Sequence, residues 1–218
     1  MCPRLPYSVK YYNNIIILLH GFNSGPGKKA EEIRAFLEEK NLKDDYQLIA
    51  PKLNIQPRRA IREINKIIRQ NKPRNIYLIG TSLGGFYANY FRAKFKESFL
   101  EVHSINPSWR PSKSLSKYVD KNLENFKTKE KWEFKEDYQL QLDDIEFFID
   151  ENLDNNIENK YFIHLSKSDE LLNFEEMIDF FKRKNIVFTK REYDSDHRFG
   201  NIRDVLELII KWDEKNEL

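Results

Sequence analysis

Residues 76–86 read Ile76-Tyr77-Leu78-Ile79-Gly80-Thr81-Ser82-Leu83-Gly84-Gly85-Phe86. A short apolar run leads into a Gly-x-Ser-x-Gly pattern, and a segment with helical character follows at once. This order predicts a strand, a sharp turn and a helix, with the hydroxyl of Ser82 projecting above the end of a sheet. Glycine is required at both ends of the pattern because strand and helix cross there too closely for a Cβ atom. An ordinary Gly-Ser-Gly turn has the same pattern, so the rest of the chain must decide whether Ser82 is a nucleophile.

Apolar runs alternate with amphipathic helical patterns along the chain. The predicted strands lie at residues 15–19, 46–50, 76–79, 99–105, 161–165 and 186–193. Long connections with a helical stripe are typical of right-handed crossovers between parallel strands. The sequence therefore predicts an α/β fold, with a mainly parallel six-stranded sheet and helices on both faces.

The region from 108 to 159 breaks this alternation. It is polar with scattered aromatic residues, and helical spacing occurs twice, first in Leu115, Val119 and Leu123 and then in Ile145, Phe148 and Ile149. We interpret residues 108–159 as a small helical cap inserted into a single domain that spans residues 1–218. An ordinary crossover made long and charged is the alternative.

Composition restricts the function classes. The 218 residues carry 37 Lys and Arg against 35 Asp and Glu, with the two signs interspersed, so no basic face for nucleic acid is expected. The single cysteine, Cys2, allows no internal disulfide framework and no multi-cysteine metal site. The longest apolar run, residues 15–19, is far too short to span a bilayer. We expect a cytoplasmic protein with no membrane segment, and the sequence leaves the oligomeric state open.

Candidate catalytic groups follow the predicted strands in the order serine, acid, histidine, which is the order of an α/β-hydrolase. Asp169 follows the fifth strand and His197 follows the sixth. A serine hydroxyl needs a neutral imidazole to accept its proton, and a carboxylate must orient that imidazole. We assign these two roles to His197 and Asp169. Three other carboxyl groups compete for the acid role: those of Glu170, Asp194 and Asp196.

Three other histidines compete for the role of base. His103 and His164 fall inside apolar strands, where a histidine is more often a core residue with satisfied hydrogen bonds. His20 follows the first strand, and its expected role is to brace the His-Gly loop. His197 lies in a polar loop after the last strand and remains the preferred base.

The oxyanion of a tetrahedral intermediate needs preorganised N–H donors. The backbone N–H of Leu83, directly after the nucleophile, is one candidate, and the N–H of Phe22 in the loop after the first strand is the other. The glycines at 21, 25 and 27 do not have the spacing of a phosphate-binding loop, and no Gly-x-Gly-x-x-Gly pattern occurs. We therefore expect no cofactor and no metal.

Six segments of the chain resemble the small bacterial YqiA-type esterases of the α/β-hydrolase superfamily, which are related to the YcfP-like proteins. These segments are Leu19-His20-Gly21-Phe22-Asn23-Ser24, Pro51-Lys52-Leu53, Ile79-Gly80-Thr81-Ser82-Leu83-Gly84-Gly85-Phe86, Asn106-Pro107-Ser108-Trp109-Arg110-Pro111, Ser168-Asp169-Glu170 and Asp196-His197-Arg198-Phe199. The resemblance implies a triad of Ser82, Asp169 and His197, and hydrolysis of acyl esters or thioesters without a cofactor. Ser168 departs from the glycine expected before the acid, and Ser195-Asp196 departs from the small or amide pair expected before the histidine.

The sequence thus favours a serine carboxylesterase or thioesterase that works through an acyl-enzyme and takes a small-molecule ester as substrate. Asn23 and Trp109 are candidate residues of the substrate pocket. Two alternatives remain open. One is a binding protein that keeps the fold without turnover, and the other is an acyltransferase with the same triad.

Overall fold

The computed structural model describes residues 12–71, 74–155 and 160–216, with the side chains of the last helix described to residue 211. Cys2 and most of the N-terminal segment lie outside the described residues, as do the last four residues of the predicted cap. The strands are β1 (Asn14–Leu19), β2 (Tyr46–Ile49), β3 (Asn75–Thr81), β4 (Leu100–Ile105), β5 (Lys121–Glu124), β6 (Lys131–Phe134), β7 (Tyr161–Ser166) and β8 (Thr189–Tyr193). The α-helices are α1 (Gly27–Glu39), α2 (Pro57–Asn71), α3 (Leu83–Lys94), α4 (Pro111–Ser114), α5 (Glu136–Asn152), α6 (Glu175–Arg183) and α7 (Ile202–Asn216).

Six strands form one sheet in the order β2-β1-β3-β4-β7-β8, and each neighbouring pair is parallel. Each strand continues into a helix or a longer connection, which is the arrangement that right-handed crossovers produce. Because all the strands run in one direction, the loops after β1, β3, β7 and β8 meet at one edge of the sheet. The predicted six-stranded α/β fold is confirmed.

The sheet is covered on both faces, because its central strands are apolar on both sides. In β1, Ile15, Ile17 and Leu19 face one apolar cluster, while Ile16 and Leu18 face another. Helices α2, α3, α5 and α6 pack on the first face, and α1 and α7 pack on the second. Full burial of each such side chain stabilises the fold by about 1.5–3 kcal/mol. Uninterrupted burial of β1 is therefore what fixes this strand at the centre of the domain.

The region predicted as a helical cap contains strands as well as helices. Leu123, assigned to a helix by its spacing, lies instead in β5, which pairs with β6 in an antiparallel hairpin. Ile145 and Ile149 do belong to a helix, α5, and both side chains are buried in the apolar cluster on the first face of the sheet. Only the short α4 and a single 3₁₀ turn at Ser116–Tyr118 precede the hairpin. The part of this region nearest the sheet edge is therefore a hairpin, and the rest is largely a crossover helix.

The last strand is shorter than predicted. The apolar residue Ile186 is buried, but the strand begins only at Thr189 and consists mostly of exposed polar side chains. β8 lies at the end of the strand order, and within the described part of the chain it pairs only with β7. An edge strand needs less apolar surface than a central one, so a hydrophobic run is a poor guide to its bounds.

Candidate active site

Ser82 lies on the sharp turn between β3 and α3. Its backbone has φ 53° and ψ −116°, a conformation that an L-residue adopts only under constraint. A Cβ atom on Gly80 would overlap the carbonyl of Gly84, and one on Gly84 would overlap the carbonyl of Leu19. The predicted strand, turn and helix are thus confirmed, together with the steric need for both glycines.

Two backbone hydrogen bonds join this turn to the last residue of β4 and to the loop that follows it. Ser82 N–H donates to the Ile105 carbonyl at 2.9 Å, and Ser108 N–H donates to the Ser82 carbonyl at 3.1 Å. Phe86 N–H also donates to the Ser82 carbonyl, as the first turn of α3 requires. These contacts fix the strained turn at the carboxyl edge of the sheet.

Asp169 and His197 form a hydrogen-bonded pair at the same edge. The Nδ1 atom of His197 lies 2.8 Å from Oδ2 of Asp169. The other carboxyl oxygen of Asp169 accepts from the N–H groups of Leu171 and Leu172, each at 2.9 Å. The Asp169 side chain is 2% exposed and that of His197 is 15% exposed. With Nδ1 donating to this fixed carboxyl, the ring presents Nε2 as the nitrogen able to accept a proton.

Two of the three competing carboxyl groups, those of Glu170 and Asp196, bond to the backbone of the histidine loop rather than to the histidine ring. Glu170 accepts from the backbone N–H of His197 at 3.2 Å. Asp196 accepts from the N–H of Arg198 at 2.9 Å. The Nζ of Lys29 in α1 also donates to the carbonyl of Arg198 in the same loop. Burial lowers the pKa of Lys29, and the carboxylates of Glu32 and Asp196 partly offset that effect.

His20 braces the loop after β1, as expected. Its Nε2 accepts from the N–H of Leu53 at 2.9 Å, and its Nδ1 lies 2.9 Å from the carbonyl of Gly21. Burial lowers the pKa of His20, the hydrogen bond to Gly21 opposes this, and the nearby Lys52 reinforces it. A neutral ring with a proton on Nδ1 satisfies both contacts and leaves no free nitrogen.

The other two histidines form a buried hydrogen-bonded chain inside the sheet. His103 contacts Glu101 through Nε2 at 2.8 Å and His164 through Nδ1 at 3.0 Å. His164 in turn contacts the hydroxyl of Tyr193 at 2.8 Å. Burial, reinforced by the neighbouring His103 and Arg191, lowers the pKa of His164 well below its usual value. Both rings are fully buried and fully engaged, so they are core residues.

The loop after β1 lies directly against the turn that carries Ser82. A Cβ atom placed on Gly21 would lie 3.3 Å from Cβ of Ser82 and 3.8 Å from its Oγ. Leu83, one of the two predicted oxyanion donors, is the first residue of α3. Phe22, the other, directly follows Gly21, and Phe22 and Leu83 border one pocket.

The β5–β6 hairpin holds this loop in place through the side chain and carbonyl of Asn23. The Oδ1 of Asn23 accepts from Nε1 of Trp132 at 2.8 Å, and its Nδ2 donates to the carbonyl of Glu124 at 2.8 Å. The Asn23 carbonyl accepts from the N–H of Phe126 at 3.1 Å. Asn23 also borders an apolar pocket. The main effect of these hydrogen bonds is to link the loop after β1 to the hairpin. No local sequence pattern indicates this role, because the two segments are about a hundred residues apart.

The Phe22 ring adds aromatic contacts between the loop after β1 and the segment that contains the hairpin. It stacks on Tyr118 with a centroid distance of 5.5 Å and meets Trp132 and Phe134 edge-on at 5.6 and 5.7 Å. Aromatic pairs of this kind contribute about 0.5–1.5 kcal/mol each beyond the area they bury. The loop after β1 therefore packs between the turn that carries Ser82 and the hairpin.

An apolar pocket lies between the loop, α3 and the hairpin. The pocket is partly open to solvent. Gly21, Phe22 and Leu83 border it on the side of Ser82, and further lining comes from residues that include Tyr87, Leu115, Trp132, Phe134 and Leu142. A wider groove beside it shares Leu53, Asn54 and Trp132 and adds the charged side chains of Lys52, Glu63, Glu130 and Lys131. An apolar cavity thus opens into a polar groove.

Trp109 does not line this pocket. It is buried against α6, where its ring meets Phe180 at 4.9 Å and Phe181 at 5.4 Å, and Arg110 lies over it. The Trp109 ring is therefore part of the core on the α6 side. Trp132 lines the pocket instead. The polar-apolar alternation of Lys131-Trp132-Glu133-Phe134 is a strand signal that could have indicated this.

Among the residues that the structure describes, no group of three or more His, Cys, Asp or Glu side chains is placed to hold a metal ion. In the same residues, no helix is long and apolar enough to cross a bilayer.

The family model of UPF0227, described as an uncharacterised protein family and known as the YqiA family, matches residues 15–214. The chain belongs to this family. The match extends from β1 into α7 and therefore includes all the loops that form the site. The resemblance noted in the sequence motifs is confirmed.

Solved structures share the fold at low sequence identity. The monoacylglycerol lipase of Paleococcus ferrophilus aligns with a TM-score of 0.68 at 13% identity, over 91% of this chain and 93% of that one. Est1E of Butyrivibrio proteoclasticus, solved with ferulic acid, aligns with a TM-score of 0.65 at 13% identity, over 94% and 89% of the two chains. FphF of Staphylococcus aureus, a fluorophosphonate-binding serine hydrolase, aligns with a TM-score of 0.60 at 18% identity, over 95% and 85%. The chain has the α/β-hydrolase fold.

Proposed function

We propose that the protein is a serine hydrolase that cleaves carboxylic acyl esters or thioesters through an acyl-enzyme on Ser82. The observation that carries the proposal is the Asp169–His197 hydrogen bond, at the edge of the sheet where the strained turn presents Ser82. A buried acid paired to a histidine on one side, with a constrained serine on the same edge, is the arrangement of an acyl-transfer site.

The reaction divides into two half-reactions. Ser82 Oγ attacks the carbonyl carbon while Nε2 of His197 takes the hydroxyl proton, and the Asp169 carboxylate stabilises the imidazolium that forms. The C–O or C–S bond to the leaving group then breaks, and the leaving alcohol or thiol receives that proton. Water next attacks the acyl-enzyme with His197 as base, and the release of the carboxylic acid restores Ser82.

The N–H groups of Leu83 and Phe22 would stabilise the oxyanion in both half-reactions. The loss of one such donor typically lowers kcat about 10²- to 10³-fold. Close packing of Gly21 against Ser82 supports this role, since a side chain at position 21 would contact the nucleophile.

The shape of the cavity supports an ester of an apolar acid. The apolar pocket beside Leu83 and Phe22 would take the acyl group, and the polar groove with Lys52 and Glu130 would take the leaving group. The reaction class is also that named for FphF, a fluorophosphonate-binding serine hydrolase, and for the monoacylglycerol lipase of Paleococcus ferrophilus, both of which share the fold.

Turnover of p-nitrophenyl butyrate and of butyryl thioesters tests the proposal. The wild-type protein should release a burst of p-nitrophenol, followed by steady turnover, and Ser82→Ala and His197→Ala should each lower kcat at least about 10³-fold. Product analysis with and without added alcohol separates hydrolysis from acyl transfer. A folded wild-type protein that turns over neither substrate class would contradict the proposal.

A further inference from the structure

Asn106 stands at the end of β4 with its side chain buried among three loops of the site. It is 1% exposed and has a positive φ of 41°, which asparagine tolerates better than most residues. Its neighbours in the chain, Ile105 and Ser108, make the two backbone hydrogen bonds that hold Ser82. The proposed reaction gives Asn106 itself no chemical step.

The amide of Asn106 bridges the end of β7 and the histidine loop. Its Oδ1 accepts from Ser166 N–H at 2.8 Å, and its Nδ2 donates to Ser166 Oγ at 2.8 Å. Nδ2 also lies 3.3 Å from the carbonyl of His197 and 3.5 Å from that of Asp196. One N–H thus serves Ser166, and the other is shared between the two carbonyls of the loop.

These partners determine which way the amide faces. The N–H of Ser166 can only donate, so it must meet the amide oxygen, and the two carbonyls of the loop can only accept, so they must meet the amide nitrogen. A carboxylate cannot donate, an alkyl group can neither donate nor accept, and a hydroxyl carries one proton where the amide nitrogen donates two. Asparagine is therefore chemically specified at this position.

The backbone of His197 is held by two side chains, one at its N–H and one at its carbonyl. Its N–H donates to Glu170 at 3.2 Å, and its carbonyl accepts from Asn106 at 3.3 Å. Glu170 belongs to the loop that carries Asp169, while Asn106 belongs to the loop bonded to Ser82. The backbone of the base is thereby tied to the acid on one side and to the nucleophile on the other.

We propose that Asn106 is a positioning residue that sets the placement of His197 relative to Ser82. This inference rests on the proposed function. Asn106 is buried and contacts the site through the backbone of His197, so it acts on the rate of proton transfer and not on substrate binding. A misplacement of a catalytic group by about 1 Å can cost about 100-fold in rate.

The test uses Asn106→Gly, which removes the bridging amide and keeps the positive φ without strain. The matched control is Asn41→Gly, at an exposed asparagine with φ 57° just after α1. We expect Asn106→Gly to lower kcat for p-nitrophenyl butyrate about 10- to 100-fold with KM within about twofold, and Asn41→Gly to leave both unchanged. An Asn106→Gly protein that keeps kcat, or that changes only KM, would overturn the role.

Asn106→Asp gives a second readout that a purely structural role would not produce. When protonated, the introduced carboxyl can still donate one hydrogen bond, but when ionised it repels the carbonyls of Asp196 and His197. Because burial raises the pKa of such a carboxyl, activity should be partly kept at low pH and should fall reversibly as the pH rises. A rate profile with the wild-type shape would overturn the role. An inert wild-type protein would overturn the proposed function as well, whereas a fully active Asn106→Gly protein would overturn this role alone.

Discussion

Asp169 Oδ2 lies 2.8 Å from Nδ1 of His197, although the two residues come from loops after different strands. The contact exists because β7 and β8 are parallel neighbours, so that the loops after Ser166 and Tyr193 start side by side. The remaining oxygen of Asp169 is held by two backbone N–H groups. The carboxyl group therefore cannot rotate freely, and the histidine tautomer is fixed by the fold.

Asp169→Asn should lower kcat/KM about 10³- to 10⁴-fold. The amide can place an N–H where the carboxyl accepted one, so the ring would carry its proton on Nε2 and could not act as a base. Steady-state hydrolysis of p-nitrophenyl butyrate measures the effect. The control is Glu170→Gln, which keeps an acceptor for the N–H of His197 and should stay within about threefold of wild type. Equal losses in both variants would contradict the assignment of Asp169 as the acid.

Trp132→Phe should lower kcat about five- to tenfold, because it removes the N–H that holds Asn23 while keeping an aromatic ring beside Phe22. The proposed oxyanion loop would then be less firmly placed. Trp109→Phe is the matched control, since Nε1 of Trp109 is buried and has no hydrogen-bond partner among the residues that the structure describes. A Trp132→Phe enzyme with unchanged kcat would show that the hairpin does not position the loop.

Leu115→Ala should shift selectivity toward longer acyl chains. Leu115 lines the apolar pocket and is only partly buried, so its truncation enlarges the cavity at modest cost to stability. The ratio of kcat/KM for octanoyl over butyryl esters should rise about tenfold. Leu140→Ala, at an exposed position on α5, should leave the ratio unchanged. If the ratio stays constant in Leu115→Ala, the acyl group binds elsewhere.

Gly84→Ala should destabilise the fold by at least about 3 kcal/mol, because its Cβ would overlap the backbone of β1 at Leu19 and the carbonyl of His20. Urea unfolding followed by circular dichroism measures the change. Gly200→Ala is the control, since no atom of the described residues, its two chain neighbours aside, lies within 4 Å of a Cβ added there, and it should change stability by less than about 0.5 kcal/mol. A Gly84→Ala protein of wild-type stability would mean that strand and helix can separate at the turn.

The sheet could be predicted from the sequence because its strands carry their own signal. The run of Ile15 to Leu19 is apolar on both faces, and a short β-branched and leucine run of this kind is typical of a strand covered on both sides. The hairpin was missed because the spacing of Leu115, Val119 and Leu123 fits a helix by chance, while the strand pattern around Trp132 is only four residues long. Asn125 closes its turn by accepting from the N–H groups of Lys127 and Thr128, without the glycine that usually marks a hairpin.

The location of a residue that directly follows a strand could be predicted from the sequence. The location of a residue that is held by contacts with distant segments could not. Ser82, Asp169 and His197 each follow a strand, so their common edge could be inferred from the topology alone. Asn23, Trp132 and Asn106 act through partners about 60 to 110 residues away, and no local pattern reveals such pairs. The same reason explains why Trp109 was misplaced, since its neighbours Phe180 and Phe181 belong to α6.

Labelling with a fluorophosphonate probe, read by peptide mass spectrometry, tests the central claim most directly. The probe reacts with a serine only when a neighbouring base activates it, so it reports on Ser82 without knowledge of the substrate. We predict one adduct, on the peptide that contains Ser82, and none in Ser82→Ala. A folded wild-type protein without an adduct, or an adduct that persists in Ser82→Ala, would contradict the claim.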